Sequence, residues 1–337
     1  RELLAREIDP KHARAERDEA QAEAHANTLE VVAKKWFKTK SKKLTEKYAD
    51  DLMNSLENHV FPKLGKRPIH KITARGVIEI LEPLQDKGKL ELVKRICQRL
   101  NMIMDYAVVS DIITDNRLAR IGKAFESPDK VHLPTIKPDA LPDLVQAIDK
   151  ASIKPVTRYL VLWQLHTMVR PSEAAGARWD EIDLDNKVWN IPKERMKKRR
   201  EHSVPLTDQV LSILEKIRPF SANRDFVFPS DIDPRRKSIN SATVNMALRR
   251  MGYKGKLVSH GFRSLASTTL NEQGFDRDVI ESALAHVDQN STRAAYNRAE
   301  YLERRKVMLQ WWSNHIDNAE TGLTSLKGKK HLSVLTL

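Results

Sequence analysis

Leu284-Ala285-His286-Val287-Asp288-Gln289-Asn290-Ser291-Thr292-Arg293-Ala294-Ala295-Tyr296 is the stretch on which the reading of this chain turns. Upstream of it lie His260-Gly261-Phe262-Arg263 and, much earlier, Arg170-Pro171-Ser172-Glu173. A guanidinium forks onto two phosphate oxygens, an imidazole exchanges protons near neutrality, and a phenol becomes a nucleophile once a base takes its proton. Two arginines, two histidines and a tyrosine in this order fit phosphodiester chemistry. Each part alone is ordinary. Arg170 and Glu173 are three apart, the spacing of a common helix-surface ion pair; a lone His-x-x-Arg is commonly structural, and a lone tyrosine is by default a packing residue. Tyr301 serves as the internal control, because nothing comparable surrounds it. The order and spacing of the set carry the argument.

Working outward, 337 residues exceed one typical domain and point to two domains plus extensions. A hydrophobic content of 40% supplies ordinary cores, and a formal net charge of +14 points to a polyanionic partner, most simply nucleic acid. The single cysteine, Cys97, excludes an internal disulfide framework and a cysteine-rich zinc site, and suggests a reducing compartment, the cytoplasm. No apolar run approaches the ~20 residues that cross a bilayer, so no membrane partner is expected.

Residues 1–27, rich in Ala, Glu, Arg and Lys, read as an exposed helical connector. Thr28, followed by Glu30 and apolar Val31, Val32, Trp36 and Phe37, reads as a capped amphipathic helix. Helical patterns follow over 44–61, 73–84 and 90–109, giving an all-helical unit over 28–128. Prolines mark a linker over 129–137. From 138 onward the pattern is mixed. Helices are predicted over 142–150, 156–168 and 171–179, and strands over 188–191, 203–206 and 226–228. Further helices follow over 241–251, 260–273, 276–285 and from 291 to 315. The fold class is therefore mainly α with a small antiparallel β-sheet. Residues 316–337, with a basic Lys327-Gly328-Lys329-Lys330 run, are assigned to a flexible tail.

The basic stretch 193–200 lies between two predicted strands and suits a phosphate backbone, with one lysine reaching the reacting phosphate as general acid. Arg170, with a helix N-terminus beside it and Glu173 to orient it, suits a phosphate clamp. His260 and Arg263 share one face of a first helical turn.

Taken together, these residues resemble the tyrosine recombinases, or phage integrases, of prophages and genomic islands, over roughly 28–315. The resemblance implies a helical core-type DNA-binding domain (28–128) and a mixed α/β catalytic domain (138–315) that clamp DNA from opposite sides. It implies that residues 1–27 are the exit linker of an arm-binding domain preceding Arg1. By match of motif, Arg170 is the first catalytic arginine and Glu173 its acidic companion. Lys197 is the hairpin lysine, His260 and Arg263 the His-x-x-Arg pair, His286 the second histidine and Tyr296 the nucleophile. Lys193, Arg195, Lys198, Arg199 and Arg200 are expected to contact DNA. The implied activity is site-specific integration or excision through a 3′-phosphotyrosyl intermediate, without nucleotide cofactor or metal. The implied partners are double-stranded attachment sites, a homotetramer on two duplexes, a DNA-bending protein and an excision factor, with the protein on the bacterial nucleoid. Trp311, Trp312 and the residues after His315 are candidates for packing on a neighbouring protomer, with core packing expected for at least one tryptophan. Two other readings stay open: a catalytically decayed DNA-binding relic, and a type IB topoisomerase that cleaves without synapsis.

Overall fold

The computed structural model describes residues 26–42, 44–129, 133–286 and 298–320, and the chain divides into two compact units, Arg1–Val131 and His132–Leu337. Nearly all of the expected linker 1–27, part of the expected linker 129–137, and 321–337 of the expected tail lie outside the described residues, as does Tyr296.

The long elements of the first unit, among its described residues, are all helices: α1 (Leu29–Ser41), α2 (Glu46–His59), α3 (Ala74–Asp86) and α4 (Leu90–Val109). Thr28 and Thr73 stand in extended conformation at the entries of α1 and α3, where their hydroxyls accept from the Val31 and Gly76 amides. The apolar positions recur at helical spacing and close on one core built on Leu29, Val32, Leu56, Ile96, Leu100 and Ile103. Two boundaries differ from expectation. Helix α2 ends at His59, short of the expected 61, and the chain goes on in a turn of π-helix, Phe61–Gly65, with Leu64 and Gly65 buried. Helix α3 runs past Leu84 with Pro83 inside it.

The second unit comprises α5 (Leu141–Lys150), α6 (Pro155–Thr167), α7 (Pro171–Ala175), β1 (Ile182–Asp183), β2 (Val188–Ile191), β3 (His202–Pro205) and α8 (Asp208–Ser221). Then come α9 (Thr243–Leu248), α10 (Gly261–Glu272), α11 (Arg277–Ala283) and α12 (Arg298–Glu320). The three strands form one antiparallel sheet in the order β1-β2-β3, with Ile191 opposite His202 beside the connecting loop. Trp163, Trp189 and Phe228 are fully buried and meet ring to ring at the centre of the core.

Several sequence expectations give way here. Residues 226–228 form no strand: Val227 and Phe228 are buried, but Phe226 makes only an isolated bridge with Arg178. The predicted 171–179 helix stops at Ala175, followed by Gly176. Helix α12 continues through Glu320, so 316–320 belong to the helix and not the tail, with Ile316 and Ala319 in the core. Trp312 is fully buried and donates to the Leu165 carbonyl at 2.9 Å, while Trp311 packs on Phe275 and His315. Helix α8 was not anticipated at all.

One buried chain of polar groups ties α6, α8 and α12 together: His166 Nδ1 lies 2.9 Å from Ser313 Oγ, which lies 2.9 Å from Thr207 Oγ1. Burial pushes the His166 imidazole down to about 4. His202 on β3, also buried, is pushed down to about 3 by burial and then by the charges of Arg305 and Arg263. Both are therefore neutral in the folded protein, whereas unfolded histidine takes up a proton near ~6.5. The unfolded state binds more protons as pH falls, so this stability is complete above ~6.5 and is lost on the way down to about 4. The His166 share is on the order of 3 kcal/mol. Thermal unfolding of the wild-type protein should shift down across that window, and the shift should be smaller in His166→Gln. Parallel profiles for the two proteins would refute this.

Candidate active site

The chain builds its site at the ends of short elements. Helix α6 closes on Met168, which adopts a left-handed conformation (φ 58°) and so turns its carbonyl away from the helix axis. Val169 is buried, and Arg170 stands extended at the entry of α7. Glu173, with a side chain only 1% exposed, grips Arg170 twice: Oε1 accepts from Nη1 at 2.9 Å, and Oε2 accepts from the Arg170 amide at 3.0 Å. The Arg–Glu spacing is therefore no surface doublet. The second guanidinium nitrogen donates to the Ala285 carbonyl at 3.3 Å.

Arg263 enters from the first turn of α10. Phe262, Leu265 and Ala266 are buried there, which anchors the turn that carries both His260 and Arg263. Gly261 between them is crossed by backbone: a Cβ there would meet the Pro134 carbonyl oxygen at 2.5 Å, so only glycine fits. Arg263 itself is 4% exposed. It donates to the Met168 carbonyl at 2.6 Å through Nη1 and to the Leu284 carbonyl at 2.6 Å through Nη2. Burial, and then the neighbouring Arg170 charge, lower its pKa to about 10, which leaves it charged at neutrality.

The segment 284–286 completes the cluster. Ala285 is left-handed (φ 49°), the second non-glycine residue of the site in that conformation. Such positions cost on the order of 1–3 kcal/mol each and persist where the surroundings over-determine them. Here two arginines bind the carbonyls that these turns present. His286 Nδ1 lies 2.6 Å from Glu281 Oε2, and its Nε2 lies 3.2 Å from Arg263 Nη2. The arrangement that satisfies both contacts puts the proton on Nδ1 and turns the Nε2 lone pair to Arg263. His286 therefore steadies Arg263.

His260 is half-buried. Burial is the largest cause that lowers its pKa, followed by the positive charges of Arg263, Arg170 and Lys197. The neutral imidazole is thus the stable form at pH 7, the form that accepts a proton. Lys197 is exposed on the loop between β2 and β3, close enough for its charge to act on His260.

Five of the six residues assigned to catalysis therefore share one locality: Arg170, Lys197, His260, Arg263 and His286. The sixth, Tyr296, lies outside the described residues. Of the loop cations assigned to DNA, Lys193, Lys198, Arg199 and Arg200 are exposed. Arg195 is a correction. It is turned inward, donating to the Glu173 carbonyl at 2.7 Å and pairing with the buried carboxylate of Glu181. A carboxylate that holds a guanidinium in the interior removes it from the pool of free phosphate contacts. Sequence reasoning also missed Glu281 and His202. His202 opens the run His202-Ser203-Val204-Pro205-Leu206, but nothing local distinguishes a buried neutral histidine beside two arginines from an exposed one.

A family model described as phage integrase family matches residues 134–303, and one described as phage integrase central domain matches residues 29–124. Prophage integrase IntA of Escherichia coli (strain K12) is 49% identical over 335 residues, spanning 99% of this chain and 80% of the relative. The integrase of Enterobacteria phage P4 is 33% identical over 334 residues, spanning 94% of this chain and 75% of that protein. Among solved structures, a lambda integrase tetramer bound to a Holliday junction is similar with a TM-score of 0.65. It is 19% identical and the match covers 84% of this chain and 82% of that one. At that identity the likeness is one of fold.

Proposed function

Given that this chain belongs to the phage integrase family and is a site-specific recombinase of the tyrosine type, we propose that Tyr296 attacks a phosphate held between Arg170 and Arg263. The observation that carries the reading is the convergence of Arg170, Arg263, His260, His286 and Lys197 around one spot, with direct bonds from Arg170 to Glu173 and between Arg263 and His286. Cations outnumber carboxylates there, so the locality favours an anion.

The phenol oxygen of Tyr296 forms a bond to phosphorus, and neutral His260 accepts its proton. The 5′ oxygen leaves with the bonding electrons and takes a proton from Lys197. Arg170 and Arg263, already ordered by Glu173 and by two carbonyls, stabilise the charge on the phosphorane without reorganising. The product is a 3′-phosphotyrosyl link and a free 5′-hydroxyl. Attack by a 5′-hydroxyl from a partner strand runs the step backwards and joins strands from two duplexes. The link conserves the energy of the broken bond, so the scheme calls for neither nucleotide cofactor nor metal.

We assign the helical unit over 28–128 to DNA core-site binding and 138–315 to catalysis. Lys193, Lys198, Arg199 and Arg200 are assigned to the DNA backbone. Double-stranded attachment sites are the substrate, and a homotetramer on two duplexes is the working assembly. The lambda integrase structures, one a dimer on a COC′ core site and another a tetramer on a Holliday junction, support both by analogy of fold. A DNA-bending protein and an excision factor complete the set of partners, acting where the bacterial nucleoid holds the attachment DNA.

The test is to trap protein on DNA fragments carrying nicked strands, in excess chelator, and to sequence what is covalently attached. Recovery of one recurrent sequence joined through its 3′ end supports the reading. Loss of trapping on chelation, or random sequences, contradicts it.

A further inference from the structure

We propose that Arg195 is a positioning residue for strand cleavage, locking the loop that carries Lys197 onto the turn that carries Arg170, and that Gly176 is kept small to admit it. The inference rests on Lys197 as the general acid of the preceding section.

Three observations support it. First, Arg195 and Arg170 hold the same residue from two sides. Arg195 Nη2 takes the main-chain carbonyl of Glu173 at 2.7 Å, near the end of α7, while Arg170 takes the Glu173 carboxylate at 2.9 Å. A guanidinium is suited to such unsatisfied helix-end carbonyls. Second, the other arm of Arg195 pairs with Glu181, whose Oε2 is also fixed by Trp189 Nε1 at 3.0 Å and the Arg178 amide at 3.2 Å. Trp189 is a fully buried residue of β2, so the anchor is part of the core. Third, space is reserved for the contact. A Cβ on Gly176 would lie 2.8 Å from Arg195 Nη2.

The loop itself is a tight turn, with bonds from the Arg195 amide to the Pro192 carbonyl at 3.0 Å and from the Met196 amide to the Lys193 carbonyl at 3.2 Å. Met196 is buried. Two consecutive inward residues, Arg195 and Met196, thus precede two outward ones, Lys197 and Lys198. A flexible lysine on a loose loop would spend little time near the departing oxygen. Anchored one residue away by Met196 and two by Arg195, its Cα is tied to the arginine that binds the same phosphate.

The experiment separates positioning from mere stability by changing the leaving atom. The substrate is the strand recovered from the covalent trap, prepared either natural or with sulfur in place of the bridging 5′ oxygen. Departing sulfur forms a thiolate, whose conjugate acid has a pKa near ~8.5, against ~15.7 for water, so it needs no proton from Lys197. On natural DNA, Lys197→Ala should slow cleavage by on the order of a hundredfold or more, and Arg195→Ala should lose a comparable amount. On the sulfur substrate both should return to within a few-fold of wild type. Gly176→Ala, which keeps every charge, should show the same signature at smaller amplitude. If sulfur rescues Lys197→Ala and not Arg195→Ala, Arg195 is a structural residue only and the inference is overturned. If sulfur fails to rescue Lys197→Ala, the general-acid assignment falls and takes the inference with it.

Discussion

Tyr296→Phe should form no covalent adduct with a nicked duplex, while its affinity for the same DNA stays at the wild-type level. The substitution removes a single oxygen, the one atom through which the proposed phosphotyrosyl ester forms. The assay is a denaturing gel after incubation with a strand nicked beyond the cleavage point, so that the released 5′ fragment diffuses away and the link accumulates. Tyr301→Phe is the matched control: Tyr301 lies on α12 and packs partly against the core, with the Arg304 guanidinium 6.0 Å from its ring. It should form the adduct normally. A band that survives Tyr296→Phe and disappears with Tyr301→Phe would move the nucleophile to the helix and undo the mechanism.

Arg263→Ala carries the second large effect, and it should be double. Removing a preorganised donor to the phosphorane costs ~3–4 kcal/mol of transition-state stabilisation, about a hundred- to a thousandfold in rate. The same guanidinium also satisfies the carbonyls of Met168 and Leu284, each at 2.6 Å. Stranding two buried acceptors adds a folding penalty of ~2–4 kcal/mol. Cleavage should therefore fall far more than binding, and the unfolding midpoint should drop in the same variant. Arg263→Lys should recover part of the stability and little of the rate, because an ammonium keeps the charge but not the two-armed fork. Equal losses of binding and cleavage, with unchanged stability, would reduce Arg263 to an ordinary backbone contact.

How far the sequence could be read depended on whether each signal was local. Helix α4, Leu90–Val109, is long and periodic, and its predicted bounds match. Strand β2 was equally plain. Helix α8 was legible and overlooked: Thr207 caps it, and Val210, Ile213, Leu214 and Ile217 follow at helical spacing. Strand β1 has two residues and no periodicity to detect. The stretch 226–228 misled because an apolar run marks burial, not pairing.

The site divides in the same way. Arg170, His260, Arg263 and His286 stood out by motif, and the structure gathers them. Arg195 was misassigned because within a run of like charges nothing in the chain singles out the one member that finds a buried carboxylate. Glu281 likewise has no signature before its distance to His286 is seen. Motifs name the groups that act on substrate; the groups that hold them are chosen by packing.

Gly261 has one more implication. Where the main chain of Pro134 crosses it, there is no side chain to bend or repack, and close-packed interiors pass displacement on rather than absorb it. Thr135 adds a hydrogen bond to the Gly261 carbonyl at 2.9 Å. A change in the course of the main chain at residue 134 would therefore have to be met by the backbone of Gly261, the residue next to His260.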